Sequence, residues 1–126
     1  MDSSPADPGD ALSRIITALS RLALPAEEQI EILKGEGLPV DELALDYEVA
    51  LSTLWVVTEA GLLDDALAAE LIEIDGLLDA ISGFENEDLW TERALRDDRA
   101  WRRIRERAQA VLSLAGIRGS PGTGPA

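Results

Sequence analysis

Cysteine and histidine are both missing from the 126 residues of the chain. Without cysteine the chain cannot form disulfides, thiolate metal sites or a cysteine nucleophile. Without histidine it lacks the usual general base and the commonest metal ligand. Much of enzyme chemistry is thereby excluded, and we expect a protein that is not an enzyme and that holds no metal or other cofactor.

Long apolar runs are missing as well. No basic segment precedes an apolar stretch, as it would in a signal peptide, and no apolar run approaches the roughly 20 residues that a membrane span needs. We therefore expect a cytoplasmic protein. Hydrophobic residues make up 46% and charged residues 29% of the chain. This is an ordinary globular balance, and it predicts a single folded domain.

Positive charge is scarce and unevenly distributed. The formal net charge is −14, and Lys34 is the single lysine. Residues 27–92 hold 19 acidic side chains against that one lysine, whereas residues 93–118 hold eight arginines against three acids. Such a charge opposes binding to nucleic acid or to anionic membranes, and it favours either solubility or a cationic partner.

The least polar stretch, residues 43–63, is predicted to form a central helix over about 41–60. At 100° per residue its apolar side chains fall on two arcs across the helical wheel. The first arc includes Leu43, Tyr47 and Leu54, and the second includes Leu45 and Val49. A helix apolar on two sides is expected to be packed by neighbours on both. The sequence thus predicts an all-α, single-domain bundle of five or six helices around this segment.

Helix start and stop signals divide the rest of the chain. We predict a flexible arm at 1–8, the bundle at 9–116 and a flexible tail at 117–126. Asp64 is expected to cap a helix over 65–82, antiparallel to the central one, and Asp97 or Asp98 to cap the last helix. Gly61 is placed to end the central helix. Residues 84–98 fit either a short helix, which we favour, or an ordered loop pinned by Trp90.

Two pairs of glutamates raise the question of a metal site. Glu28 and Glu31 are three residues apart, as are Glu70 and Glu73, so each pair lies on one helix face. The two triplets resemble the ExxE pairs with which MazG-like nucleotide pyrophosphohydrolases hold magnesium. Such spacings arise by chance among 25 acids, and no ExxD partner accompanies them. A solvated helix face is therefore the favoured interpretation.

The arginine-rich stretch 93–108, RALRDDRAWRRIRERA, is the candidate for nucleic-acid contact. Its arginines nevertheless face a strongly acidic body. Helix spacing also allows Arg102 to pair with Asp98 or Glu106. Internal charge neutralisation is thus the favoured interpretation. Trp101 lies on the apolar stripe of this helix and is predicted to be core, whereas Trp55 fits either the core or a contact surface.

The acidic residues that follow the central helix form the third candidate site. Like charges spaced i, i+4 destabilise a helix, so folding gains nothing from their clustering. They either keep the protein soluble or form a surface for a basic protein, with Trp90 as an apolar anchor. The predicted partner-binding residues are Glu70, Glu73, Asp75, Asp79, Glu85, Glu87, Asp88 and Trp90.

The stretch 84–112, FENEDLWTERALRDDRAWRRIRERAQAVL, joins an acidic loop with an aromatic residue to an amphipathic Arg/Glu helix. In this it resembles the C-terminal part of the small acidic helical immunity proteins of bacterial toxin systems. The resemblance implies a cytosolic inhibitor that masks a cationic toxin, often a nuclease, by occupying its nucleic-acid surface. A helical scaffold or homodimer module, paired through the apolar seam of residues 65–82, is the alternative.

Overall fold

The computed structural model describes residues 7–116. Residues 1–6 of the predicted arm and the whole predicted tail, 117–126, lie outside this range. Within it the chain is helical and contains no strand, which confirms the predicted all-α bundle. A 3₁₀ helix spans Phe84–Leu89. The α-helices are α1 (Pro8–Ala23), α2 (Ala26–Glu36), α3 (Asp41–Leu51), α4 (Leu54–Glu59), α5 (Asp65–Ala80), α6 (Glu92–Asp97) and α7 (Arg99–Leu114).

Four helical units surround the core, namely α1, α5, α7 and the α3–α4 pair. Helix α1 packs against α7 on one side and against α3 and α4 on the other, and α5 likewise packs between α7 and the α3–α4 pair. Helices α2 and α6 contact each other beside this ring, and α6 also rests on α7. The largest side chains with almost no exposed surface are Ile15, Leu22, Tyr47, Ile74, Leu95, Trp101 and Ile104.

The helix ends follow local capping chemistry. The side chain of Asp64 accepts a hydrogen bond from the Leu67 N–H, and that of Asp98 accepts one from the Ala100 N–H, as predicted for N-caps. Gly61 adopts a φ of 75°, and the next residue donates back to the Val57 carbonyl, which is the predicted αL helix end. Helix α1 begins at Pro8 with Asp7 as its cap, so residues 7 and 8 belong to the bundle and not to the arm.

The central segment differs from its prediction in being two helices. Ser52 and Thr53 separate α3 from α4, and their hydroxyls donate to the carbonyls of Val49 and Ala50 at 2.6 and 2.8 Å. These side-chain bonds compete with the backbone ladder, which accounts for the interruption. Counted as one interrupted helix, α3 and α4 bring the number of α-helices in residues 7–116 to six, within the five or six predicted.

The prediction that this segment is packed on both sides is wrong. Its first arc is buried as expected, with Tyr47 fully enclosed and Leu43 nearly so. Its second arc is open, because Leu45 is 48% and Val49 69% exposed. Helices α1 and α5 cover one side of α3, and no described helix covers the other. The segment therefore forms one wall of the bundle rather than its centre.

Helix α5 lies antiparallel to α3, as predicted. The middle of α3 meets the middle of α5, where the Tyr47 hydroxyl donates to the Leu71 carbonyl at 2.6 Å. The start of α3, at Asp41, shares a groove with Ser82, which lies beyond the end of α5. The apolar seam of α5 packs against α3 and α7, and Leu71, Ile74 and Leu78 in it are buried.

A polar network joins the α1–α2 corner to α6 and α7. Arg105 donates to the carbonyls of Leu24 and Leu95 at 2.9 Å each and to the Gln29 side-chain oxygen at 3.1 Å. Gln29 is buried, and its amide nitrogen donates to the last carbonyls of α1, at Arg21 and Leu22. Burial lowers the pKa of the Arg105 guanidinium, as expected when a cation leaves water. Arg105 thus serves as a hydrogen-bond donor that joins three elements of the fold.

No helix in the described part of the chain is long and apolar enough to cross a membrane.

Candidate functional site

The structure separates the predicted partner-binding residues into groups. Glu70 and Glu73 lie on the flank of α5 that faces α7. There the Arg107 Nη1 atom is 3.0 Å from a Glu70 carboxylate oxygen and 3.3 Å from one of Glu73. Their charge is thus partly neutralised within the chain, and they are the least available of the set for a cationic partner.

Asp75 and Asp79 lie on the opposite flank of α5. The charge of Asp75 helps to raise the pKa of the Tyr47 phenol, whose burial is the larger cause, so Asp75 lies close to α3. Asp79 follows one turn later and shares this flank. The two aspartates therefore border the line along which α3 and α5 meet.

An open groove of about 580 Å³ lies near the end of this line. We call it the α3–α5 groove. The residues that line it come from α3 and from the segment that follows α5, and they are Asp41, Ala44, Leu45, Glu48, Ser82, Gly83, Glu87 and Trp90. Asp41 and Glu48 were not among the predicted partner-binding residues. Their spacing of seven residues, two helical turns, was the available signal.

The acids at the α3–α5 groove have no cation beside them. Three acids line the groove and two more lie beside it on α5. Within residues 7–116, none of these five has a lysine or arginine nitrogen within 4.0 Å of its carboxylate oxygens. Elsewhere the scarce cations are used on other acids, as where Arg96 pairs with Glu27 and where Arg21 pairs with Glu36 and Asp46. The five acids are Asp41, Glu48, Asp75, Asp79 and Glu87.

Two predicted residues lie apart from this groove. Asp88 lines a separate depression beside α6, together with Arg93, Asp97 and Asp98. Glu85 is exposed, and its carboxylate lies over Gly83. The 3₁₀ turn of Phe84–Leu89 thus divides the acidic run of the sequence, because Glu87 lines the groove while Asp88 lines the other depression.

Trp90 connects the groove to the core. Its ring nitrogen donates to the Ile81 carbonyl at 2.8 Å, and its ring packs edge-on against Trp101 with centroids 5.2 Å apart. Trp101 is buried, as predicted, and donates in turn to the Leu89 carbonyl. Trp90 therefore fixes the segment after α5 in place and presents part of its half-buried surface at the groove.

The arginine pairs predicted within α7 do not form in this arrangement. Neither Asp98 nor Glu106 lies within 4.0 Å of an arginine nitrogen among the described residues. Neutralisation runs instead between helices, from Arg107 to α5 and from Arg96 to α2. Contacts of this kind depend on the tertiary fold, so the spacing along one helix does not reveal them.

The geometry gives little support to a metal site at the two glutamate pairs. Across residues 7–116, no three acidic side chains converge in a way that could hold a metal ion. Arg107 lies where a cation would have to approach Glu70 and Glu73. Glu28 and Glu31 are exposed on α2.

A third concavity, of about 180 Å³, is lined by apolar side chains and lies between α1, α5 and the end of α7. No side chain that lines it carries a polar group that could orient a ligand. Its lining comprises Leu12, Ile15, Ile16, Leu19, Leu62, Leu63, Leu67, Leu71, Val111, Leu112 and Ala115.

No family model, curated protein or solved structure matches the chain. The functional assignment therefore depends on the charge and shape of the surface.

Proposed function

We propose that this protein is an acidic protein-binding module of the immunity type, an inhibitor that acts in the cytoplasm by covering the nucleic-acid-binding surface of a cationic toxin. The observation that carries the proposal is the α3–α5 groove, which three carboxylates line. The flank of α5 that faces α3 carries two more, and none of the five is paired with a cation. A surface that binds DNA or RNA is rich in lysine and arginine, and such a surface is complementary to this groove.

The fold gains nothing from this arrangement. Asp75 and Asp79 repel each other across one helical turn, and both lie in the half of α5 nearest its negative end. Elsewhere the chain shows that acids can be neutralised, since Arg107 serves two glutamates on the other flank of the same helix. Acids left unpaired on one flank favour a role in recognition, where electrostatic steering accelerates association with a basic protein.

Affinity capture from the native host tests the proposal. The immobilised protein is compared with two double variants. Asp75→Lys/Asp79→Lys, the groove variant, reverses two charges on the flank of α5 beside the groove, and Glu28→Lys/Glu31→Lys makes the same change in net charge on the exposed surface of α2. We expect the wild type and the α2 variant to retain one basic protein that is toxic when expressed alone, and the groove variant to lose it. An acidic captured protein, or equal loss from both variants, contradicts the proposal.

A further inference from the structure

The concavity between α1, α5 and the end of α7 is an apolar space that no side chain of residues 7–116 fills. Its volume is about 180 Å³, and on α7 it is lined by Val111, Leu112 and Ala115. An apolar cavity of roughly 150 Å³ stays dry and can take up a molecule as large as benzene. The concavity therefore has room for an aliphatic side chain, whose burial there would be favourable.

Two other helices of the chain end in a motif that shows how such a side chain can be placed. Gly37 after α2 and Gly61 after α4 adopt φ values of 69° and 75°. Each glycine N–H donates to the carbonyl three residues back, at 3.1 and 3.0 Å. The next residue, Leu38 or Leu62, donates to the carbonyl five residues back, at 2.8 and 3.1 Å. These two hydrogen bonds define the Schellman motif, in which the residue after the glycine makes an apolar contact with the end of its helix.

Both leucines use the motif to bury apolar surface. Leu38 packs against the hydrophobic core. Leu62 lines the same apolar concavity that the end of α7 borders. An αL glycine followed by an aliphatic residue is thus the way in which this chain attaches the end of a helix to the bundle.

Helix α7 ends with the first part of this motif. Gly116 has a φ of 78°, and its N–H donates to the Ser113 carbonyl, three residues back, at 3.0 Å. The residue that follows it is Ile117. In a completed motif the Ile117 N–H meets the Leu112 carbonyl, and its side chain contacts Leu112 or Val111. Both of these residues line the concavity.

The short distance along the chain supports this placement. Consecutive Cα atoms are about 3.8 Å apart, so Ile117 lies within about 8 Å of Ala115, which also lines the concavity. The residues that follow, 118–126, are RGSPGTGPA and include no further large aliphatic side chain. Ile117 is therefore the residue after α7 that is suited to fill an apolar space.

We propose that Ile117 completes a Schellman motif at the end of α7 and that its side chain fills the apolar concavity. The contact moves one residue of the predicted tail into the bundle and joins the end of α7 to α1 and α5. It also closes the concavity to small apolar ligands. The inference is independent of the proposed function, because the concavity and the α3–α5 groove share no lining residue among those described.

Benzene is the probe for a vacant concavity, because it enters apolar cavities of about this size. Calorimetry measures its binding to the full chain and to two variants, Ile117→Ala and Leu114→Ala. The second is the matched control, because it truncates an aliphatic side chain that is 69% exposed in the last turn of α7 and that does not line the concavity. We expect Ile117→Ala to bind benzene at least about tenfold more tightly than the wild type, and the control to bind as the wild type does.

Thermal unfolding of the same proteins measures the packing of the side chain. Ile117→Ala should lower the Tm by about 4 °C or more, because a buried aliphatic group is removed. Leu114→Ala should change the Tm by less than about 1 °C.

Amide exchange followed by NMR tests the backbone part of the motif. The Ile117 N–H should exchange at least about tenfold more slowly than in an unfolded chain, because it is bonded to the Leu112 carbonyl. The Leu62 N–H, which donates to the Val57 carbonyl at 3.1 Å, is the reference within the same chain.

Three results would overturn the inference. The first is an Ile117 N–H that exchanges as fast as in an unfolded chain. The second is an Ile117→Ala protein with the benzene affinity of the wild type, since the side chain would then lie elsewhere even if the Tm fell. The third is a dimer that forms with rising concentration and excludes benzene, which would show that a second copy covers the concavity.

Discussion

Replacing Asp79 by lysine should stabilise the protein while weakening the proposed interaction. Asp79 is exposed in the last turn of α5, a turn that contains no basic residue, and it follows Asp75 by four positions. Its carboxylate therefore faces both the negative end of the helix macrodipole and a like charge one turn away. If the acid were there for the fold, neither feature would be expected.

The size of the effect follows from these two terms. Reversing the charge removes a macrodipole cost of about 0.3 kcal/mol or more and replaces it with a gain of similar size. The new Asp–Lys pair at i, i+4 adds about 0.2–0.5 kcal/mol in place of a repulsion. Together they should raise the free energy of unfolding by about 1 kcal/mol. For a domain of this length that corresponds to a rise in Tm of about 3–5 °C.

Urea and thermal unfolding followed by far-UV circular dichroism measure this change. The matched control is Asp10→Lys, which makes the same substitution in the first turn of α1. There the macrodipole favours the acid, so the control should lose about 0.5–1 kcal/mol. If Asp79→Lys were destabilising, the carboxylate would have a structural role, and the reasoning that the groove acids serve recognition would be refuted.

Three further changes test the packing. Arg105→Met should lower the free energy of unfolding by about 2–4 kcal/mol in urea titration, because three acceptors lose their donor. The control Arg102→Met, at an exposed arginine, should change it by less than about 0.5 kcal/mol. Equal effects of the two substitutions would contradict the network. Tyr47 has a raised pKa, so its contribution is present below its ordinary value of about 10 and is lost as the pH rises beyond it. Tyr47→Phe should then lose less stability between about pH 9 and 11 than the wild type, and identical losses would argue against a buried phenol. Leu54→Ala should cost about 2–5 kcal/mol by thermal unfolding, and a protein of unchanged stability would mean that this part of α4 is not core.

Features set by local chemistry could be predicted from the sequence. The caps at Asp64 and Asp98 and the αL glycine at Gly61 involve residues within a few positions of each other. The buried stripe of α7 also follows from periodicity, and Trp101 lies on it as expected. The interruption at Ser52–Thr53 was missed, although two adjacent hydroxyl residues inside an apolar helix were its signal.

Features set by tertiary contacts could not be predicted in the same way. A helical wheel shows that Leu45 and Val49 are apolar, but it does not show whether a neighbour covers them, and they are exposed. The division of the acids on α5 between a neutralised flank and an open one depends on Arg107, which is more than 30 positions further along the chain. The candidate site consequently leaves out Glu70, Glu73, Glu85 and Asp88 of the predicted acidic set. It gains Asp41 and Glu48 of α3.

The salt dependence of the association rate with the captured partner tests the central claim most directly. Stopped-flow measurements would compare the wild type, Asp75→Lys/Asp79→Lys and the α2 control Glu28→Lys/Glu31→Lys across a range of ionic strength. We predict that the groove variant associates at least about tenfold more slowly at low salt and with a flatter salt dependence, while the control stays near the wild type. If the groove variant associates as fast as the wild type, with the same salt dependence, the α3–α5 groove is not the binding surface.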